Sequence, residues 1–147
     1  MVSAALRELV AERAQWRCEY CHSPEAISAD RFTVEHLLPQ SLGGSDSLIN
    51  LALACRRCNE RRSNFMTGID PETDTVSALF NPRQQKWAHH FKWTSDGLKI
   101  VGTSVMGRAT CARLDINDEH RPKPFIQTSR RFWVAMNLHP PADDPQD

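Results

Sequence analysis

Two Cys-x-x-Cys pairs, Cys18 with Cys21 and Cys55 with Cys58, stand thirty-three residues apart in a chain of 147. Zinc takes four ligands in a tetrahedron, and each pair offers two thiolates at a bite that suits one ion. A chain of this length buries one good core, or one small metal-stapled module with an accessory region. The spacing is longer than in a simple zinc ribbon, and long enough to hold two strands and a loop between the knuckles. A redox dithiol and ordinary buried cysteines are the competing readings. Two matched pairs in a reducing compartment favour structural zinc. Cys111 is left over on an expected helix and reads as a small buried apolar residue.

The compartment is itself an expectation. Arg7 and Glu8 interrupt the first apolar turn, so the N-terminal residues do not make a signal-peptide core, and no apolar run approaches spanning length. These features point to a soluble, cytoplasmic chain with no membrane partner. Lys plus Arg equals Asp plus Glu at 18 each, so net charge alone does not announce a nucleic-acid binder. The distribution says more: Arg56, Arg57, Arg61 and Arg62 crowd around the second knuckle, while Asp143, Asp144 and Asp147 close the chain.

Leu6, Leu9, Val10 and Ala14 recur at helical spacing and predict a helix over residues 3–15, with Arg7, Glu8, Glu12 and Arg13 on its other face. Phe32-Thr33-Val34 is β-prone, Gly43 to Ser47 is a loop by composition, and Leu51 to Ala54 returns as a short buried strand. An Arg-rich helix follows from Cys55 to about Phe65. After an exposed connection through Gly68, Pro71 and Asp74, Val76 to Phe80 suits a strand and residues 84–90 a helix carrying Trp87. Residues 91–94 and 98–101 flank Ser95-Asp96-Gly97 as a hairpin, Ser104 can cap a helix to about Asn117, and Phe125 to Met136 suits the last one. Trp87, Phe91 and Trp93 read as the core of this accessory region, and Pro140 and Pro141 end the order. The expected organisation is a metal-stapled module with its N-terminal helix over residues 1–66, an accessory α+β region over 67–138 packed on it and a flexible tail over 139–147.

Between the knuckles lies the pattern that carries chemistry. Val34-Glu35-His36 is followed by Asn50 after thirteen residues and Asn59 after eight more, and Pro39, Gly43-Gly44, Asn50-Leu51 and Cys58-Asn59-Glu60-Arg61-Arg62 complete it. In this combination the chain resembles the HNH endonuclease family over about residues 15–65. The resemblance implies an α+β fold: a small zinc-stapled ββα-metal, treble-clef-like finger with an N-terminal helix and a mixed helix and hairpin accessory region. It implies His36 as the general base that takes a proton from the attacking water, and Glu35 as a metal ligand. Asn50 would orient His36 by bracing the loop, and Asn59 would supply a second metal ligand. It makes Arg62 a phosphate contact, and Arg56, Arg57 and Arg61 fit beside it along a nucleic-acid backbone. Glu35 departs from the more frequent Asp, and an all-oxygen donor pair favours Mg²⁺ or Mn²⁺.

The chemistry is coherent without the family. Phosphodiester hydrolysis needs a base near neutrality, which an imidazole supplies, and a cation on the developing charge. Glu35 and His36 are sequence neighbours, and strand alternation would send them to opposite faces unless the strand ends or bends there. The implied partner is DNA, with RNA an alternative, handled by a monomer that nicks or a homodimer that cuts both strands. The competing reading is a zinc-stapled nucleic-acid-binding or adaptor module that does not cleave. His22 adjoins a knuckle and could approach the zinc, and His89 and His90 read as structural or phosphate-facing.

Overall fold

In the computed structural model, residues 2–147 are described, and they form two compact units. The first runs to Asn64 and takes in Asn81–Gln84; the second comprises Phe65–Phe80 and Gln85–Asp147.

The first unit opens with α1 (Ala4–Arg13), whose first turn is capped by the Ser3 hydroxyl accepting from the Leu6 amide at 3.2 Å. Its buried stripe is narrower than the sequence suggests. Val10 and Ala11 are buried, whereas Leu9 is exposed and Arg13 donates to the Leu48 and Leu51 carbonyls. β1 (Thr33–His36) pairs antiparallel with β2 (Leu51–Ala54), with Glu35 opposite Ala52 and His36 opposite Leu51. All four residues of β2 are buried, because α1 packs on it and the first knuckle docks along it. Glu19 makes that docking: its amide donates to the Leu53 carbonyl and its carboxylate accepts from the Leu53 amide, each at 2.8 Å. Arg83 then pairs with Glu19 and donates to the Leu51 carbonyl, tying Asn81–Gln84 to the same strand. The chain continues into α2 (Arg56–Arg62), shorter than the helix to residue 65 that the sequence suggests.

In the second unit β3 (Thr67–Ile69) pairs with β4 (Val76–Ala78), and β5 (Phe91–Trp93) with β6 (Ile100–Gly102), both antiparallel. The stretch around Gly68 is thus a strand rather than an exposed connection. A Cβ on Gly68 would lie 2.9 Å from the Ala109 carbonyl oxygen, so glycine allows α3 (Val105–Leu114) to press onto β3. Ser104 caps α3 as expected, accepting from the Gly107 amide at 2.9 Å. Residues 84–90 hold only a 3₁₀ turn, Trp87–His89, with no side-chain cap. Phe91 and Trp93 are fully buried, Trp87 nearly so, and Phe91 meets Phe80 edge to face at 5.2 Å. α4 (Phe125–Ala135) buries Arg130, which donates to the Leu98 and Ile116 carbonyls and to Asn117 Oδ1.

The expected loose tail is instead a strap on β5. The Trp93 amide donates to the Pro145 carbonyl, the Asp147 amide to the Trp93 carbonyl, and the Trp93 indole to Asp144 at 2.9 Å. His139 is buried edge-on against Trp93 at 4.3 Å. An amphipathic reading misses this because the strap is held by backbone and indole hydrogen bonds rather than by an apolar pattern. Among the described residues no helix is long and apolar enough to cross a membrane.

Candidate functional site

The four knuckle sulfurs converge within 4.8 Å of one another, all from buried residues. Cys21 Sγ and Cys55 Sγ are 3.7 Å apart, close to the edge of about 3.8 Å that a tetrahedron with zinc–sulfur bonds of about 2.3 Å requires. Local structure aims them. Cys55 is the N-cap of α2 and its sulfur accepts from the Cys58 amide, so the second knuckle is the first turn of a helix. Burial pushes Cys18 up, hydrogen bonding with the other thiols pushes Cys58 up, and those same hydrogen bonds with the Arg57 charge draw Cys21 down. Four buried sulfurs this close together need a cation to hold them as thiolates, and four thiolate donors fit structural zinc. His22 is not among the clustered ligands.

His36 sits at the end of β1 with its side chain 17% exposed, and its Nε2 lies 2.6 Å from Asp46 Oδ1. Asp46 arrives from the loop between the strands, and the loop is braced from within. Asn50 accepts from the Leu38 amide at 2.8 Å and donates to the Leu38 and Ser45 carbonyls, while its own carbonyl accepts from the Leu37 amide. Gly44 makes this possible, since a Cβ there would fall 1.7 Å from the Leu38 carbonyl oxygen and 2.9 Å from the Asn50 amide. The Gln40 amide also donates to Asp46, and the His36 ring holds the Asp46 carboxyl below the usual range. Asp46 is a site residue the sequence reading missed. Its signal was present: it is the only acid between Leu37 and Asn50.

Glu35 does not sit beside His36. β1 runs through both residues without the expected bend, so alternation turns Glu35 inward, 6% exposed. There Arg62 Nη1 donates to Glu35 Oε1 at 2.8 Å, and Arg62 also donates to the Leu37 and His36 carbonyls. Burial pushes the Glu35 carboxyl up, and the Arg62 charge opposes that rise. Burial also drives Tyr20 well up, with the Glu35 charge adding to it, so its protonated hydroxyl lies within electrostatic reach of the carboxylate. The reading of Arg62 as a phosphate clamp is therefore corrected. At 3% exposure it is an internal counter-ion that fastens α2 to β1. The reading of Glu35 as a metal ligand meets the same obstacle, because its Oε1 is occupied by a guanidinium.

A cleft of 330 Å³ opens over the finger, lined among others by Glu35, His36, Gln40, Asn59 and Ser63. His36 and Asn59 thus share it, as the sequence pattern suggests. The four arginines are placed differently from one another. Arg56 is exposed and paired with Glu60 and Asp30, Arg57 lends its charge to Cys21, Arg61 is half-buried and Arg62 is internal. Among the described residues the four cysteines are the only cluster of three or more His, Cys, Asp or Glu side chains placed to hold an ion. The residues present thus fit one structural zinc.

The family model described as HNH endonuclease matches residues 18–65, from the first knuckle to just beyond α2. This is the span that carries the thiolate cage, the His36–Asp46 pair and the braced loop. No curated protein and no solved structure matches the chain.

Proposed function

We propose that the finger is an endonuclease site that hydrolyses DNA phosphodiester bonds, with His36 as general base and Asp46 as its positioning residue. The observation that carries the reading is the 2.6 Å contact between Asp46 and the Nε2 of His36, which lines a cleft, inside a span that matches HNH endonucleases. A carboxylate on Nε2 fixes the proton there and leaves Nδ1 with its lone pair toward the reacting water. His36 takes that water's proton as the oxygen attacks phosphorus, the bond to the 3′-oxygen breaks, and the ring later returns the proton to solvent or to the leaving oxygen. A positioned base of this kind contributes about 10²- to 10⁴-fold in rate. Asn50 acts indirectly, by holding the loop that presents Asp46.

Cys18, Cys21, Cys55 and Cys58 hold zinc, which keeps the knuckles and therefore both strands in register. Mg²⁺ or Mn²⁺ remains the catalytic ion that the family resemblance implies, with Asn59 on the cleft as the donor already in place. Glu35 lines the same cleft with its Oε1 held by Arg62, so no catalytic step is routed through it here. A single finger carries one such site and nicks one strand; cutting both strands requires two copies.

One observation favours the second reading, a zinc-stapled nucleic-acid-binding or adaptor module: Glu35 is neutralised internally by Arg62. Incubation with supercoiled plasmid under Mg²⁺, Mn²⁺, Ca²⁺ and chelator separates the two. Nicked circles under at least one ion support the nuclease. Retardation on a gel with no nicked product under any ion leaves the adaptor.

A further inference from the structure

We infer that the outward face of α4, with the segment leading into it, binds a single nucleic-acid strand, its phosphates on Arg121 and Lys123 and its bases on Phe125 and Phe132. The inference rests on the reading above only in taking nucleic acid as what this chain handles. Phe125 and Phe132 of α4 and its C-cap Met136 are 66%, 65% and 60% exposed, although the helix's other side packs into the unit. Spaced by seven and four residues, they form one stripe, with the two rings about 10 Å apart along the axis. A helix that merely closes a core turns such a stripe inward. Here the buried side is taken by Ile126 and Arg130, and the aromatic rings face out.

Charge identifies the occupant. Residues 121–136 contain four Arg or Lys and no Asp or Glu, in a chain whose charges balance overall. Arg130 is spent inside the fold, which leaves Arg121, Lys123 and Arg131 on the surface beside the rings. Arg131 is partly engaged, since its charge helps hold Asp96 down. Arg121, Pro122, Lys123 and Phe125 also line a groove of 320 Å³, so the first ring has a cation-flanked recess next to it. Alternating cations and exposed rings are what an unpaired strand requires, phosphates on the former and base faces on the latter. A second copy is a poor occupant, because a two-fold contact would set the same cations against one another.

The test is fluorescence anisotropy of a labelled single-stranded oligonucleotide, titrated with the full zinc-loaded chain over a range of salt. Phe125→Ser/Phe132→Ser should weaken binding by about tenfold or more, with the loss largely independent of salt, and should affect a duplex less. Lys123→Glu, at an exposed position before the helix, should weaken binding and flatten the salt dependence by about one phosphate contact. Variants that bind the oligonucleotide as tightly as the parent overturn the inference. So does preferential binding of anionic vesicles, or a parent dimer in sedimentation that the phenylalanine variant dissolves. Loss of binding in these variants from a chain that never nicks plasmid sinks the nuclease and keeps this surface. Nicking with unchanged oligonucleotide affinity does the reverse.

Discussion

The two units are held together by different means. In the first, the fully buried side chains are thiols, Val10, the Leu51–Ala54 strand and one tyrosine, on short elements and the first knuckle's turn. In the second, Trp93, Phe91, Leu114 and Ile116 make a conventional core, closed by the buried Arg130 and by the Asp70–Arg108 pair. Apolar burial of about 1.5–3 kcal/mol per large side chain can carry the second unit. The first has fewer such side chains and gathers four thiols, so it is expected to draw on a bound ion. The difference also shows in how each uses arginine. Arg130 satisfies carbonyls at loop ends, whereas Arg62 neutralises a carboxylate on the strand that carries the base.

The sharpest way to break this comparison is to remove the metal. Structural zinc contributes on the order of 10 kcal/mol to small domains, so chelation or Cys58→Ser should unfold the first unit. Amide exchange should rise across residues 18–64 while the amides of Trp93 and Ile100 stay protected. Uniform loss of protection would show that the units do not differ in this way. Next in size, Trp93→Ala should cost about 3–5 kcal/mol in denaturant unfolding while leaving one zinc per chain. Arg62→Ala should cost about 3 kcal/mol and act on the first unit, because it strands a buried carboxylate. Pairing it with Glu35→Gln should recover much of that loss, which a phosphate clamp would not predict.

The smallest effect is a matter of pH. Arg108 holds Asp70 well below the ordinary carboxylate range, so that pair's stabilisation is fully present above an unfolded value of about 3.9 and is lost as pH falls through the depressed folded one. Asp70→Asn should therefore destabilise the second unit at neutral pH, with the gap to the parent closing below about pH 4. Zinc thiolates compete with protons, so acidification should release the metal before it disturbs Asp70. Metal content and thermal melts measured over the same pH series would check that order.

What the sequence made legible was whatever repeats or spaces itself locally. The cysteine pairs announced the cage, the hydrophobic tetrad Leu51–Ala54 announced the central strand, and Ser104 announced its helix. Long-range choices were less visible. Asn59 and Arg62 share a helix face at three-residue spacing, but spacing does not say which of them meets solvent, and the inward turn of Glu35 decided it. Asp46 was hidden because its role depends on a loop shape that Gly44 and Asn50 create together. Phe125 and Phe132 satisfy a helical pattern whether the stripe faces in or out.

The account stands most directly on the rate at which His36→Ala nicks supercoiled plasmid, compared with parent protein of equal zinc content and equal melting temperature. Loss of at least about a hundredfold in rate, with Asp46→Asn falling between the two, is the predicted result. A His36→Ala chain that is folded, zinc-loaded and as active as the parent would contradict it.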